Sequence, residues 1–202
     1  MKILKTLTGA ALALGLAACG SNPAEEQDDS GAPRNSDLIS ANSFGCIRDL
    51  EPVDRFFVGN LDGDLDATLA VARSETGGTY PTGSVVQLVP TEVMVKRAPG
   101  FSEETNDWEF FDLDISAGGT KILTRGHKDV VNRFGNNCLE CHAKAEPQWD
   151  MICQLDHGCD PIPITDAMIR ALQKTDPRCE PTELTQEEQD GLAQLMESLS
   201  QS

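Results

Sequence analysis

The residues Cys138-Leu139-Glu140-Cys141-His142 hold the densest potential chemistry in the chain. Two thiols with two residues between them have the spacing at which sulfurs add across the two vinyl groups of a haem. An imidazole directly after the second thiol can then reach the iron as its proximal ligand. The motif therefore predicts one covalent haem c, with thioethers at Cys138 and Cys141 and His142 on the iron. Given the chain's own Cys and His content, a chance match has a probability of about a few in a thousand, so the pattern is specific. A zinc site would need a second ligand pair, and Cys153, His157 and Cys159 do not have ribbon or finger spacing. A redox C-x-x-C would call for a thioredoxin-like βαβ pattern, which is absent.

Haem attachment of this kind occurs outside the cytoplasm, and the start of the chain agrees. Lys2 and Lys5 form a positive region, and Leu7 to Leu16 is an apolar stretch too short to hold a bilayer as a spanning helix. It ends in Leu16-Ala17-Ala18-Cys19, which resembles the lipobox of bacterial lipoproteins. The resemblance implies removal of residues 1–18, lipidation of Cys19 and attachment to a membrane of the cell envelope. Gly20 after the cysteine implies sorting to the outer membrane, with the protein facing the periplasm. Residues 19–41 are polar and rich in Pro, Gly and acids, the composition of a flexible tether. The folded haem domain is expected over residues 42–202.

An oxidising compartment changes how the other cysteines are read. Of seven, one is the lipid site and two are haem thioethers, which leaves Cys46, Cys153, Cys159 and Cys179. An even remainder predicts two disulfides, with three pairings open. The favoured pairing closes a short loop with Cys153–Cys159 and joins the ends of the domain with Cys46–Cys179.

The formal charge is −17, from 33 acids against 16 bases. Such a surface repels nucleic acid and anionic lipid headgroups and suits a basic redox partner. Acidity also simply keeps a protein soluble.

The elements that must position the motif are strands first and helices later, hence α+β: an antiparallel sheet packed on the haem, with helices flanking the motif and at the C-terminus. Asp64 to Ser74 predicts a helix. Asp62, Asp64 and Asp66 suggest a calcium loop, but Ala67 and Arg73 stand where glycine and glutamate are required. Ser84 to Val89 and Glu92 to Arg97 read as strands. Asp107 to Ile115 alternates Trp108/Phe110 and then slips phase to Phe111/Leu113/Ile115, which predicts a β-bulge. Gly118-Gly119 turns into a hairpin partner at Thr120 to Thr124. His127 to Phe134 predicts a helix leading into the motif, Thr165 to Lys174 a second, and Thr185 to Leu199 a third that opens with a capping box.

Several of these segments resemble the cytochrome P-460 family. Tyr80-Pro81-Thr82-Gly83-Ser84-Val85-Val86 is similar to its Pro-x-Gly-Thr strand, and Val93-Met94-Val95-Lys96-Arg97 to its Met-Val-Lys strand. Trp108 to Phe111, the haem motif through Ala143, and Gln148-Trp149-Asp150-Met151 complete the likeness, over about residues 75 to 155. The resemblance implies a β-rich sheet on a haem with a His proximal ligand and an open distal side lined by apolar or acidic groups. Some members oxidise hydroxylamine and carry a lysine cross-linked to the porphyrin. Others, the cytochromes c′-beta, lack the cross-link and bind nitric oxide or similar gases. Lys96 is the nearest candidate for a cross-link, although the alternation of its strand favours a solvated face.

The expected function is electron transfer or small-ligand binding at the iron. The alternative is hydroxylamine or nitrogen-oxide oxidation, and a third reading is a structural haem in an envelope interaction module. The sixth ligand discriminates between them, with Met94, Met151, Met168, Met196, His127 and His157 as candidates.

Overall fold

The computed structural model describes residues 34–154 and 156–200; the lipobox, Cys19 and most of the tether lie outside them. Six strands form one antiparallel sheet in sequence order: β1 (Glu51–Val53), β2 (Phe56–Asn60), β3 (Ser84–Gln87), β4 (Glu92–Lys96), β5 (Trp108–Ser116) and β6 (Gly119–Gly126). Helix α1 (Leu65–Ala72) interrupts the meander between β2 and β3. With α2 (Cys138–His142), α3 (Asp166–Lys174) and α4 (Gln186–Ser200) the fold is α+β. No helix among the described residues is long and apolar enough to cross a membrane.

The phase slip in β5 has a cause other than the one expected. Trp108 and Phe110 pack on one face of the sheet with Phe56, Val58, Val86 and Met94. Phe111 and Leu113 pack on the other with Val85, Val93 and Val95. Both faces are buried, so neither alternation need be interrupted. The register does shift, between Asp112 and Leu113, which pair with Thr124 and Ile122. The extra residue is thus Leu123 on β6, opposite the predicted place.

The second face is covered by residues 34–50, so the folded part begins before residue 42. Ile39 and Phe44 are buried there. The Ile39 carbonyl accepts from Arg125 at 3.0 Å, and the Phe44 carbonyl from Thr120 at 2.6 Å. Asp62, one of the acids of the rejected calcium loop, accepts from the Ser36 amide and hydroxyl at 2.9 and 2.6 Å. Asp64 caps α1 through the Ala67 amide. Two adjacent apolar residues, Leu38 and Ile39, in an otherwise polar stretch carry no periodic signal, which is why the sequence reads as tether.

The helix expected over His127 to Phe134 is absent. An Asn132-centred loop replaces it: the Asn132 side chain accepts from the Phe134 and Asn136 amides, both at 3.0 Å, and its own amide donates to the Asn136 carbonyl. Only Val130 enters the core, while Val131 is 46% exposed. Asparagine satisfies loop backbone as readily as a helix would, so the apolar spacing misled. Strands β1 and β2, joined at Asp54 with φ 50°, were not anticipated, because three- and five-residue strands leave almost no periodicity.

The two helices near the C-terminus follow the expectation. Thr165 caps α3, and the Thr185–Glu188 box opens α4. Gln173 on α3 donates to the carbonyls of Arg55 and Leu88, both at 2.8 Å, which fixes the helix to the sheet.

Both disulfides, Cys46–Cys179 and Cys153–Cys159, are formed in the favoured pairing. Cys46–Cys179 spans 133 residues, a loop whose closure is worth about 4–5 kcal/mol in the chain-entropy account. Beside it Asp176 accepts from the Ile47 amide at 3.0 Å and from Arg178. Burial alone would raise the Asp176 carboxyl, but the bonds from Arg178 and Ile47 outweigh it and hold the group below the usual carboxylate range. A depressed native value gives stability that is present above the unfolded value of about 4 and lost as pH falls through the native one. Asp176→Asn is therefore expected to lower stability at pH 7, and the gap to the native chain should close below about pH 4. Urea denaturation at a series of pH values measures this; a constant gap would contradict it.

Candidate haem site

The motif forms α2, whose start is set by the Asn132 loop. The Cys138 amide donates to the Val130 carbonyl at 3.0 Å, and Asn137 caps the helix through the Glu140 amide at 3.1 Å. One helical turn brings Cys138, Cys141 and His142 to the wall of a single cavity of about 430 Å³. That volume lies in the range of cofactor pockets. The facing wall is the first face of the sheet, with Phe56, Val86, Met94 and Phe110. The Cys153–Cys159 loop completes it, with Cys153 and Cys159 both in the lining. A larger cavity of about 580 Å³ lies beyond Ile152, between α1, β1 and Trp149, and neither motif cysteine nor His142 lines it.

His142 is oriented for metal binding. Its Nδ1 lies 2.7 Å from the Met151 carbonyl. A carbonyl can only accept, so Nδ1 carries the proton and Nε2 keeps its lone pair. This is the tautomer and second bond found on metal-ligating histidines. Burial pushes the imidazole's pKa down, against the raising effect of the Met151 carbonyl, which also favours the neutral ring a metal requires. The Phe110 ring sits 5.4 Å from it.

Both motif cysteines are free of any disulfide. Burial, then Glu92 and Asp112, push the Cys138 thiol up to about 12, and burial also raises Cys141. A thiol–disulfide oxidoreductase needs the opposite, a depressed thiol, so the site does not suit that chemistry. Nor does it suit zinc. Among the described residues the one trio of His, Cys, Asp or Glu donors close enough to share an ion is Cys46, Asp176 and Cys179, and two of those are joined by a disulfide. Two free thiols and one available imidazole nitrogen facing an apolar wall fit a porphyrin bound through thioethers.

The candidate sixth ligands are scattered. Of the six, Met94 lines this cavity. Met151 is buried and serves through its carbonyl, and Met168 is buried on α3. Met196 is 62% exposed. His127 meets Phe101, and His157 stacks on Trp149 with centroids 3.8 Å apart, its Nδ1 against the Ile152 carbonyl.

Lys96 is not on a solvated face; it is 5% exposed and does not line the cavity. Its ammonium donates to both Asp150 carboxylate oxygens at 2.8 Å and to the Asn106 carbonyl at 2.6 Å. β4 has no solvated face, because both sides of the sheet are covered. Glu92 was overlooked, although its parity with Met94 places it on the cavity side of β4. It lines the cavity, and burial raises its carboxyl, opposed by Arg133. No family model, curated protein or solved structure matches the chain.

The cap on α2 gives a direct test of how the site is positioned. Asn137→Ala should cost about 1 kcal/mol locally. Faster hydrogen exchange is expected at the Glu140 amide, with the sheet amides unchanged; unaltered exchange at Glu140 would remove the cap's role.

Proposed function

We propose that the chain is a mono-haem c-type cytochrome of the cell envelope, similar to the cytochrome P-460 and c′-beta family, whose iron binds a small ligand. The supporting observation is the His142 geometry: a ring locked with Nδ1–H on a backbone carbonyl, its other nitrogen free, beside two free thiols on one cavity wall. Cys138 and Cys141 would hold the haem by thioethers and His142 would ligate the iron. The bound haem would supply a redox-active metal with a face for diatomic or similarly small ligands. The chain's own contribution is to orient His142, to line the cavity with the apolar side chains of Phe56, Val86 and Phe110, and to place there the Glu92 carboxyl, whose protonated form burial favours.

Met94 in the same wall favours a second reading, electron transfer with methionine as sixth ligand. The net charge of −17 suits a basic partner in that case. Hydroxylamine oxidation with a lysine cross-link draws no support from Lys96, whose three N–H bonds are taken by Asp150 and Asn106. The structural-haem reading has no observation in its favour.

Denatured holoprotein should show one haem in its mass, and Cys138→Ala with Cys141→Ala should abolish it. Ferrous protein should bind carbon monoxide rapidly and completely near neutral pH. A low-spin spectrum that resists carbon monoxide, and yields only on Met94→Leu, would instead establish electron transfer. Haem extracted intact by acid acetone would refute the covalent site.

Lipid anchoring at Cys19 belongs to the same proposal and rests on the lipobox-like Leu16-Ala17-Ala18-Cys19. Cys19→Ser should leave export intact and release the protein from membranes; a variant that still sediments with membranes would overturn it.

A further inference from the structure

Asp150 and Met151 are consecutive non-glycine residues in the left-handed region, with φ 48° and 67°. This backbone conformation is strained for an L-residue, so the corner persists only where its surroundings over-determine it. Four bonds do so. The Asp150 carboxylate accepts from the Tyr80 amide at 2.9 Å and from Lys96. The Asp150 carbonyl accepts from Trp108 Nε1 at 2.8 Å. The Met151 carbonyl accepts from His142 Nδ1 at 2.7 Å. The pair is enclosed, with the Lys96 and Asp150 side chains 7% and 5% exposed.

The same ammonium braces a second left-handed corner, Asn106–Asp107, at φ 48° and 62°, through the Asn106 carbonyl. It lies 5.1 Å from the Trp108 ring, between the two corners. Gly77 closes the arrangement from outside: a Cβ there would lie 2.1 Å from the Gln148 carbonyl, and the Gly78 amide donates to that same oxygen. Lys96 and Asp150, which brace the corner that carries the Met151 carbonyl, are not among the residues lining the cavity.

We propose that the buried Lys96–Asp150 pair is a positioning device for His142: by holding the Asp150–Met151 corner it fixes the Met151 carbonyl on Nδ1–H, and so sets how strongly Nε2 donates to a metal. The proposal rests on the haem reading above. A firm bond to Nδ1–H gives the ring partial imidazolate character and raises the basicity of the other nitrogen. An iron so ligated has its oxidised form stabilised and its potential lowered. Lys96 and Asp150 are positioning residues, acting through Met151 on His142.

The test uses full-chain holoprotein carrying Asp150→Asn, Lys96→Met, or both. The single changes leave a buried charge whose field alone would move the potential, in opposite senses. The double variant is charge-neutral and keeps an acceptor for the Tyr80 amide, so it reads the carbonyl's position. The expected result is a higher reduction potential in the double variant than in the native protein. The iron–histidine stretching band, recorded directly after photolysis of the carbon monoxide adduct, should move to lower frequency. Trp108→Phe removes another tether of the corner without touching the ion pair, and should move the band the same way by less; it serves if the charge variants do not fold. A native band and native potential in folded double variant, or a native band in Trp108→Phe where the charge variants do not fold, would overturn the proposal while leaving the haem reading intact. Native protein without covalent haem would overturn both.

Discussion

One buried cation organises the interior. Lys96 sits at the end of β4 with its ammonium saturated by Asp150 and Asn106, and over the Trp108 ring. Removing one partner of such a pair leaves an uncompensated charge in the core, which costs about 3–5 kcal/mol, whereas the intact pair adds little net stability. Its value is geometric. The pair ties the sheet to residues 148–152, and those residues carry the carbonyl that orients His142. The Trp108 indole, fully buried, needs the same corner for its N–H. Sheet, corner and motif are therefore one connected construction.

The sheet can serve as a cavity wall because its other face is covered independently. Residues 34–50 pack Ile39 and Phe44 over Val93, Val95 and Phe111. On that face Glu109 is buried between Arg97 and Arg125, each of which forms an ion pair with it. Apolar side chains on the first face are then free to face a ligand space instead of a packed partner. The Cys46–Cys179 bond joins this cover to the α3–α4 connection, which holds both ends of the domain against the sheet.

The cavity's chemistry is that of a largely apolar, acid-flanked space. Burial raises both motif thiols and Glu92 while keeping His142 neutral. Each shift has the same origin, loss of water from the charged form. Such an environment disfavours thiolate exchange and keeps an imidazole lone pair ready. It also favours the protonated form of the Glu92 carboxyl over the ionised one. The second disulfide contributes to the same lining through Cys153 and Cys159.

Much of this was legible in the chain. Cys138, Cys141 and His142 are specified by spacing alone, since two sulfurs and an adjacent imidazole on one helical turn must share a wall. Strands β3 to β6, helices α1, α3 and α4, and the two disulfides follow from local periodicity, caps and the even number of cysteines outside the motif and Cys19. What sequence could not determine depends on contacts between distant segments. The parity of β4 puts Lys96 on one definite face, but only the covering of both faces makes that position buried. Ile39 becomes core because the sheet needs a second cover, not because its neighbours are apolar. His127 to Phe134 has helical spacing, yet Asn132 satisfies the backbone in a loop that delivers Asn137 to cap the motif. The residues that could do chemistry are thus local in sequence, while the left-handed corner that aims His142 exists only because Lys96, Tyr80 and Trp108 converge on it from elsewhere in the fold, and no local pattern encodes a convergence of that kind.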